Sequence, residues 1–206
     1  MDYTKYFPHL STGQQQNLEQ LEILLREKNE MVNLISRKDI DNIGVNHILH
    51  SLAIAKYLNF TPGSKIADLG TGGGLPGLPL AILFPEVSFH LVDRIGKKVK
   101  MAQEIADSLG LKNVTTQHGD MSECKDKFDF VVSRAVAELP VLVKAVKNKI
   151  SKNNFNALPN GLITLKGGDL SQELKQLESV SEVIDIKNYF DQPFFETKKL
   201  VYTTIL

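Results

Sequence analysis

The 206-residue chain has a single cysteine, no surplus of either charge and no long apolar run, and each shortage removes a class of protein. One cysteine, Cys124, excludes an intrachain disulfide and an all-cysteine metal cluster, and it suits a reducing cytoplasm. Lysine plus arginine equals aspartate plus glutamate at 24 each, so there is no global positive field to grip nucleic acid indiscriminately. Any contact with RNA must be local. The opening MDYTKYFPHL lacks a basic region followed by an apolar one, so no secretory signal is expected. The most apolar stretch, 75–84, is interrupted by Pro76, Gly77 and Pro79 and falls far short of the roughly 20 apolar residues of a membrane span, so a soluble protein is expected. No repeat of fixed period and no low-complexity run is present. With 42% hydrophobic and 23% charged residues, the composition is that of one globular domain of ordinary size.

The rhythm of the chain changes once. Thr12 with Gln15 reads as a capping box, and Leu18, Leu21, Leu24 and Leu25 recur at helical spacing, predicting a helix to about Asn29. Asp39 is placed to cap a second helix with Ile43, Ile48, Leu52, Ala55 and Leu58 as its buried stripe, ended by Thr61-Pro-Gly-Ser64. Residues 1–64 are therefore read as an N-terminal helical extension and 65–206 as an α/β core, together one compact domain. Strands are predicted at 65–69, 87–92, 114–117, 128–133 and 162–165, most of them separated by helices, with a late pair at 183–189 and 200–206. Such alternation forces parallel pairing through right-handed crossovers and gives a doubly wound sheet with its ligand at the carboxyl ends of the strands. The last two strands lie too close for a crossover and should form an antiparallel edge. Asn153, Asn154, Asn156 and Pro159 mark a polar surface loop suited to mobility or variation.

The first predicted strand runs into Asp68-Leu-Gly70-Thr-Gly72-Gly-Gly74-Leu75-Pro-Gly77 just before an apolar helical run. Glycines here let backbone approach a ligand closely, which favours a nucleotide-like molecule over an ordinary turn. Two readings compete. Gly72-x-Gly74-x-x-Gly77 satisfies the dinucleotide fingerprint, with an acid about 20 residues later at Asp93. Asp68-x-Gly70-x-Gly72-x-Gly74 instead resembles the first motif of class I methyltransferases. Asp93 at the end of strand two can accept ribose hydroxyls, and Gly119-Asp120 after strand three offers an acceptor for an adenine amino group. Acids at successive strand ends fit adenosine, and S-adenosylmethionine requires no pyrophosphate-binding base. A Walker lysine is missing. The methyltransferase reading is preferred.

Asn33-Leu-Ile-Ser36, His47-Ile-Leu-His-Ser51, the loop from Asp68 to Gly77, Leu91-Val-Asp93, Gly96-Lys-Lys98, Ser133-Arg-Ala135 and Leu165-Lys-Gly167 occur in one order along nearly the whole chain. In that combination the sequence resembles the RsmG (GidB) family, which methylates guanine N7 in the 530 loop of bacterial 16S rRNA. The resemblance implies a class I methyltransferase Rossmann-like sheet, S-adenosylmethionine as cofactor, and 16S rRNA, free or in the small ribosomal subunit, as partner. It implies cofactor contacts at Gly70, Leu75, Gly119, Asp120 and Arg134, to which Gly72, Gly74 and Asp93 belong by the wider fold. Asn33, His47, Lys97, Lys98 and Lys166 become candidates for holding or positioning RNA. The chain departs from the family pattern at His50, where an aspartate is usual, at Arg94, where a small residue is usual, and at His118-Gly-Asp120, where Arg-Ala-Glu is more common.

The residues suit that chemistry. Guanine N7 carries a lone pair and no proton, so attack on a sulfonium methyl needs positioning more than a base, and no general base is assigned. Cytosine-carbon methylation needs an activated thiolate, whereas Cys124 sits near Lys125 and Lys127 with no signature around it. An amino-group target would call for an Asn/Asp-Pro-Pro-aromatic segment after strand four. His47 and His50 share a helix face but lack a third partner, so no metal is expected. Lys97, Lys98 and Lys100, and Lys144, Lys147, Lys149 and Lys152, read as solvated faces that could also grip phosphates. A dinucleotide oxidoreductase, a small-molecule methyltransferase and a non-catalytic S-adenosylmethionine-binding assembly factor remain the alternatives.

Overall fold

The computed structural model describes residues 1–36, 39–134 and 136–205. Helix α1 spans Thr12–Met31 and starts one residue earlier than its sequence suggests. Ser11, not Thr12, is the cap, and Gln14, not Gln15, closes the box: Gln14 N donates to Ser11 Oγ at 3.2 Å and Ser11 N to Gln14 Oε1 at 3.0 Å. Two such boxes, offset by one residue, overlap in Ser11-Thr12-Gly13-Gln14-Gln15, and tertiary contact decides between them. Gln14 Nε2 also donates to the carbonyls of Ile82 and Leu83, both at 3.1 Å, satisfying orphan acceptors at the end of a neighbouring helix.

The second predicted helix is not a regular one. A 3₁₀ turn at Ile40–Asn42 leads into a π-helix at Gly44–Leu49, and only His50–Tyr57 is α-helical (α2). Asp39 makes no capping bond; its carboxylate accepts from Ser36 Oγ at 2.6 Å and Asn46 Nδ2 at 3.0 Å. The stripe of Ile43, Ile48, Leu52 and Leu58 is buried as its spacing demands, with Ala55 half-buried.

The remaining chain alternates: β1 Lys65–Leu69, α3 Gly77–Leu83, β2 Ser88–Asp93, α4 Gly96–Ser108, β3 Val114–His118, β4 Phe130–Arg134, α5 Leu139–Val146, β5 Gly161–Gly167, α6 Ser171–Lys175, β6 Ser181–Asp185 and β7 Lys198–Thr204. The strands make one sheet in the order β3-β2-β1-β4-β5-β7-β6. Pairing is parallel from β3 through β5 and antiparallel for β5 with β7 and β7 with β6. This is the doubly wound, mostly parallel sheet of class I methyltransferases, with its antiparallel pairs at one end. The predicted strand 65–69 matches β1, and the others differ from their observed bounds by one or two residues at a margin, except that 183–189 ends four residues early, at Asp185; the last residue of the predicted 200–206, Leu206, lies outside the described residues.

Period-two alternation sends side chains to opposite faces. Ile66, Phe130, Val132 and Ile163 join the larger core, which also takes in Leu18, Leu21 and Leu25 of α1 and Leu52 of α2. Ala67, Val131 and Leu162 point the other way, onto Leu142 and Val146 of α5. The extension and the sheet thus share one core, and truncating a fully buried contact such as Leu21 to alanine costs about 2–5 kcal/mol. The polar loop 153–159 is fastened to the start of β1: Asn156 Oδ1 accepts from Thr61 N at 2.8 Å, and Asn156 Nδ2 donates to Ser64 Oγ at 3.0 Å.

Candidate functional site

β1 pairs with β2 on one side and β4 on the other, so strand order reverses at β1 and the crossovers leave by opposite faces. A crevice must open at the carboxyl ends there. It holds a cavity of about 560 Å³, a size usual for small-molecule sites, walled by the glycine loop, the ends of β2 and β3, the loop after β4 and the start of α5.

Asp68 organises the glycine loop from within. It is fully buried, and its Oδ2 accepts from Thr71 Oγ1 at 2.6 Å and Gly77 N at 2.8 Å, while Oδ1 has no partner among the described residues. Burial pushes its carboxyl up to about 7, against the pull of those two hydrogen bonds and of the Arg134 charge. Gly70 has φ +71° and lies so close to the next loop that a Cβ would stand 2.5 Å from Val136 Cγ2. Gly70, Gly72 and Leu75, three of the candidate cofactor contacts, line the cavity. Gly74 does not: with φ +93°, a Cβ there would meet Leu78 Cδ1 at 2.2 Å, so it is needed for the turn into α3. The dinucleotide reading fits poorly with this arrangement, because Gly74, the glycine of that fingerprint that would let backbone approach a pyrophosphate, does not line the cavity.

Asp93 lies at the cavity edge, where its Oδ2 accepts from Gly72 N and its Oδ1 from Ile95 N, each at 2.8 Å. It ties the glycine loop to the start of α4 and keeps lone pairs for a ligand. Gly119 and Asp120 line the same wall, with Gly119 N donating to Asp93 O at 3.0 Å. Asp120 Oδ1 caps the short helix Met121–Glu123 through Ser122 N at 2.9 Å, and its Oδ2 accepts from Arg94 Nε at 2.8 Å. The backbone hydrogen bond of Ser122, with Arg94 next, holds its carboxyl down at about 2. Two of the departures from the family pattern, Arg94 and Asp120, are thus partners of each other.

Arg134 ends β4 and lines the cavity; Ala135, the last residue of its motif, lies outside the described residues. Its Nη1 donates to His47 Nδ1 at 2.8 Å and to Asn46 O at 3.4 Å, so the structure brings His47 to Arg134. Burial draws the guanidinium down to about 10, opposed by Asp68 and Asp39, which leaves it charged at neutral pH. His50 is buried against Phe194 and Phe195 at ring separations of 5.5 and 6.0 Å, and burial holds its imidazole well below the ordinary range. It is a packing residue.

The candidate RNA-facing residues separate. Asn33 is exposed in a shallow depression with Leu34, which also lines the cavity. Lys97 is exposed and Lys98 reaches the cavity, both in the first turn of α4. Cations at a helix N-terminus oppose its dipole, a cost of about 0.3–1 kcal/mol each that a bound anion would relieve. Lys166 is drawn away from solvent: its Nζ lies 2.8 Å from Glu173 Oε2 and 2.5 Å from Ala137 O. Because Glu173 Oε2 also accepts from Leu139 N at 2.7 Å, this pair braces the loop after β4. Lys149 likewise donates to Ser122 O at 2.8 Å. Cys124 is buried 4.0 Å from Met121 Sδ, and burial raises its thiol, so it is no thiolate nucleophile.

Sequence reasoning missed the apolar rim. Ile95, Val136 and Val141 are 51%, 47% and 57% exposed and all line the cavity. Their signal was available only as apolar residues beside strand ends. Flat aromatic surface is what such a rim suits.

Comparison with known proteins agrees with this geometry. A family model described as "GidB: rRNA small subunit methyltransferase G" matches residues 14–201. A ribosomal RNA small subunit methyltransferase G from Phocaeicola vulgatus is 57% identical over 201 residues, covering 98% of this chain and 96% of that protein. One from Bacteroides thetaiotaomicron is 53% identical, covering 98% of each. Among solved structures, a SAM dependent methyltransferase from Aquifex aeolicus superposes with a TM-score of 0.56 at 16% identity, over 76% of this chain and 89% of that one, a likeness of fold.

Proposed function

Since the chain belongs to the rRNA small subunit methyltransferase G family, we propose that it transfers the methyl group of S-adenosylmethionine to N7 of a guanine in the 530 loop of 16S rRNA. The observation that carries the cofactor half is the cleft itself: a glycine loop braced from beneath by a buried acid, with a second acid at the next strand end and a third beyond it both lining one cavity.

The donor set fits an adenosine-bearing sulfonium. The free lone pairs of Asp93 suit ribose hydroxyls, and Gly119 and Asp120 with the side chain of Ile95 suit an adenine ring and its amino group. Arg134 suits the carboxylate of the methionine end. Gly70, Gly72 and Leu75 shape the wall between them, and Gly74 serves indirectly by turning the chain. When bound, S-adenosylmethionine supplies a methyl group on a positively charged sulfur. The protein's own residues hold the target base against that methyl and exclude water. Since guanine N7 loses no proton as it attacks, no residue need act as a base, and the rate under RNA saturation should show no rising limb with pH.

Recognition of RNA falls to local features, because the net charge is zero. Lys97, Lys98 and Asn33 stand at or beside the cleft mouth and suit phosphate or base contacts. With 16S rRNA as its substrate, the protein would act in the cytoplasm, where ribosomes are assembled. Labelled S-adenosylmethionine offered with small ribosomal subunits, or with protein-free 16S rRNA, from cells lacking the protein should yield N7-methylguanine at one position. Label appearing only in a small metabolite would overturn the rRNA assignment.

A further inference from the structure

Arg134 belongs to the sheet, yet its guanidinium is held by the N-terminal extension. Both acceptors of Nη1, the Nδ1 of His47 and the carbonyl of Asn46, lie in the π-helix Gly44–Leu49. Such wide turns are rare in helices and cluster at functional sites. The π-helix is itself tied down, since Asn46 Nδ2 donates to Asp39 Oδ1 at 3.0 Å and Asp39 Oδ2 accepts from Ser36 Oγ at 2.6 Å.

A ring nitrogen that accepts from a guanidinium carries no proton, so the hydrogen of a neutral His47 must sit on Nε2. Among the described residues that buried Nε2 has no hydrogen-bond partner, and it lies 4.0 Å from Asp39 Oδ2. Among the described residues, the charged and titratable groups around the ring are Arg134 of β4, Asp39 before the π-helix, His50 on the next turn, Lys198 of β7 beside His50 and Asp39, and Asp68 of β1 beyond Arg134. Burial first, and then the Arg134 charge, hold the His47 imidazole down at about 3, with Asp39 opposing.

We propose that His47 is a positioning residue whose neutral, Nε2-protonated ring aims Arg134 into the cofactor cleft, so that the π-helix of the N-terminal extension tunes cofactor affinity through Arg134. The inference rests on the assignment of the cleft to S-adenosylmethionine. It gives the His47 motif a role through Arg134 in place of direct contact with RNA. It also explains why a guanidinium is wanted at position 134, since the planar fork can donate sideways to His47 and forward into the cleft at once.

Three substitutions at one position separate positioning from bulk. Asparagine places an oxygen near Nδ1, glutamine places one near Nε2, and leucine fills the space with neither. Calorimetric titration with S-adenosylmethionine should show His47→Leu and His47→Gln weakened by about tenfold or more, and His47→Asn within about threefold of wild type. In nitrogen-15 NMR of the unsubstituted protein, His47 should show an unprotonated Nδ1 and a protonated Nε2 throughout about pH 5.5 to 8.5. Should His47→Leu fail to fold, the asparagine–glutamine contrast and the spectrum decide. Equal affinity in all three variants, rescue by glutamine as good as by asparagine, an Nδ1–H tautomer, or titration near the ordinary histidine value would each overturn positioning and leave the cofactor assignment standing. A wild-type protein that binds no S-adenosylmethionine overturns both.

Discussion

The two walls of the cleft are built by different means. On the sheet side, backbone N–H groups donate to carboxylates a few residues or one strand away: Gly77 to Asp68, Gly72 and Ile95 to Asp93, Ser122 to Asp120. On the extension side, side chains reach across long stretches of sequence, as Arg134 does to His47, and they stand on a helix whose turns are irregular. The first wall is a rigid cradle held by short-range bonds. The second is an adjustable prop, where one guanidinium depends on the local winding of another segment. Damage to the sheet wall should therefore weaken cofactor binding directly, and damage to the π-helix should act through Arg134.

The largest effect is expected where the walls meet. Arg134→Lys keeps the charge but loses the fork, and kcat/KM for methyl transfer should fall about 100-fold, or roughly 2.7 kcal/mol, in a folded protein. Wild-type turnover would detach the two walls from one another. Asp93→Asn turns one acceptor of the sheet wall into a donor facing an N–H, so S-adenosylmethionine should bind about 2 kcal/mol more weakly by calorimetry, with RNA affinity nearly unchanged. Lys97→Ala with Lys98→Ala should do the reverse: weaker RNA binding with a shallower salt dependence, by one to two contacts, and an unaltered cofactor affinity.

Asp68 tests the sheet wall through pH. Its carboxyl is raised to about 7 from 3.8, so the folded state binds the proton more readily than the unfolded chain. The stability this contributes is full below about pH 4 and is lost as pH rises toward 7. Asp68→Asn can accept from Thr71 and Gly77 with its amide oxygen and has no charge to bury. Urea unfolding should therefore show wild type losing about 1–3 kcal/mol relative to the variant between those pH values; parallel curves would mean Asp68 is solvated. The smallest effect should come from the scaffold of the extension. Ser11→Ala removes the α1 cap, which should lower stability by about 1 kcal/mol and leave cofactor affinity within error.

What could be read in the sequence follows the same division. The glycine loop, Asp93 and Gly119-Asp120 were legible because each sits at a strand end, where fold geometry dictates what neighbouring residues can do. The shift of the α1 cap to Ser11 was not, because two overlapping boxes are locally equivalent and only Gln14 meets the carbonyls of α3. The π-helix has no periodicity signal distinct from an α-helix over six residues. Lys166 looked free at a strand end, and its pairing with Glu173 depends on where a short helix docks. Arg94 and Asp120 were visible as two separate departures from a pattern, and only three dimensions join them.

A crystal structure of the protein with S-adenosylhomocysteine tests the central claim most directly. The account predicts ribose hydroxyls on Asp93, adenine between Ile95 and the Gly119–Asp120 turn, and the amino-acid end toward Arg134, which keeps its contact with His47. Density for the ligand in another groove, or in this cleft with the amino-acid end turned away from Arg134, would contradict it.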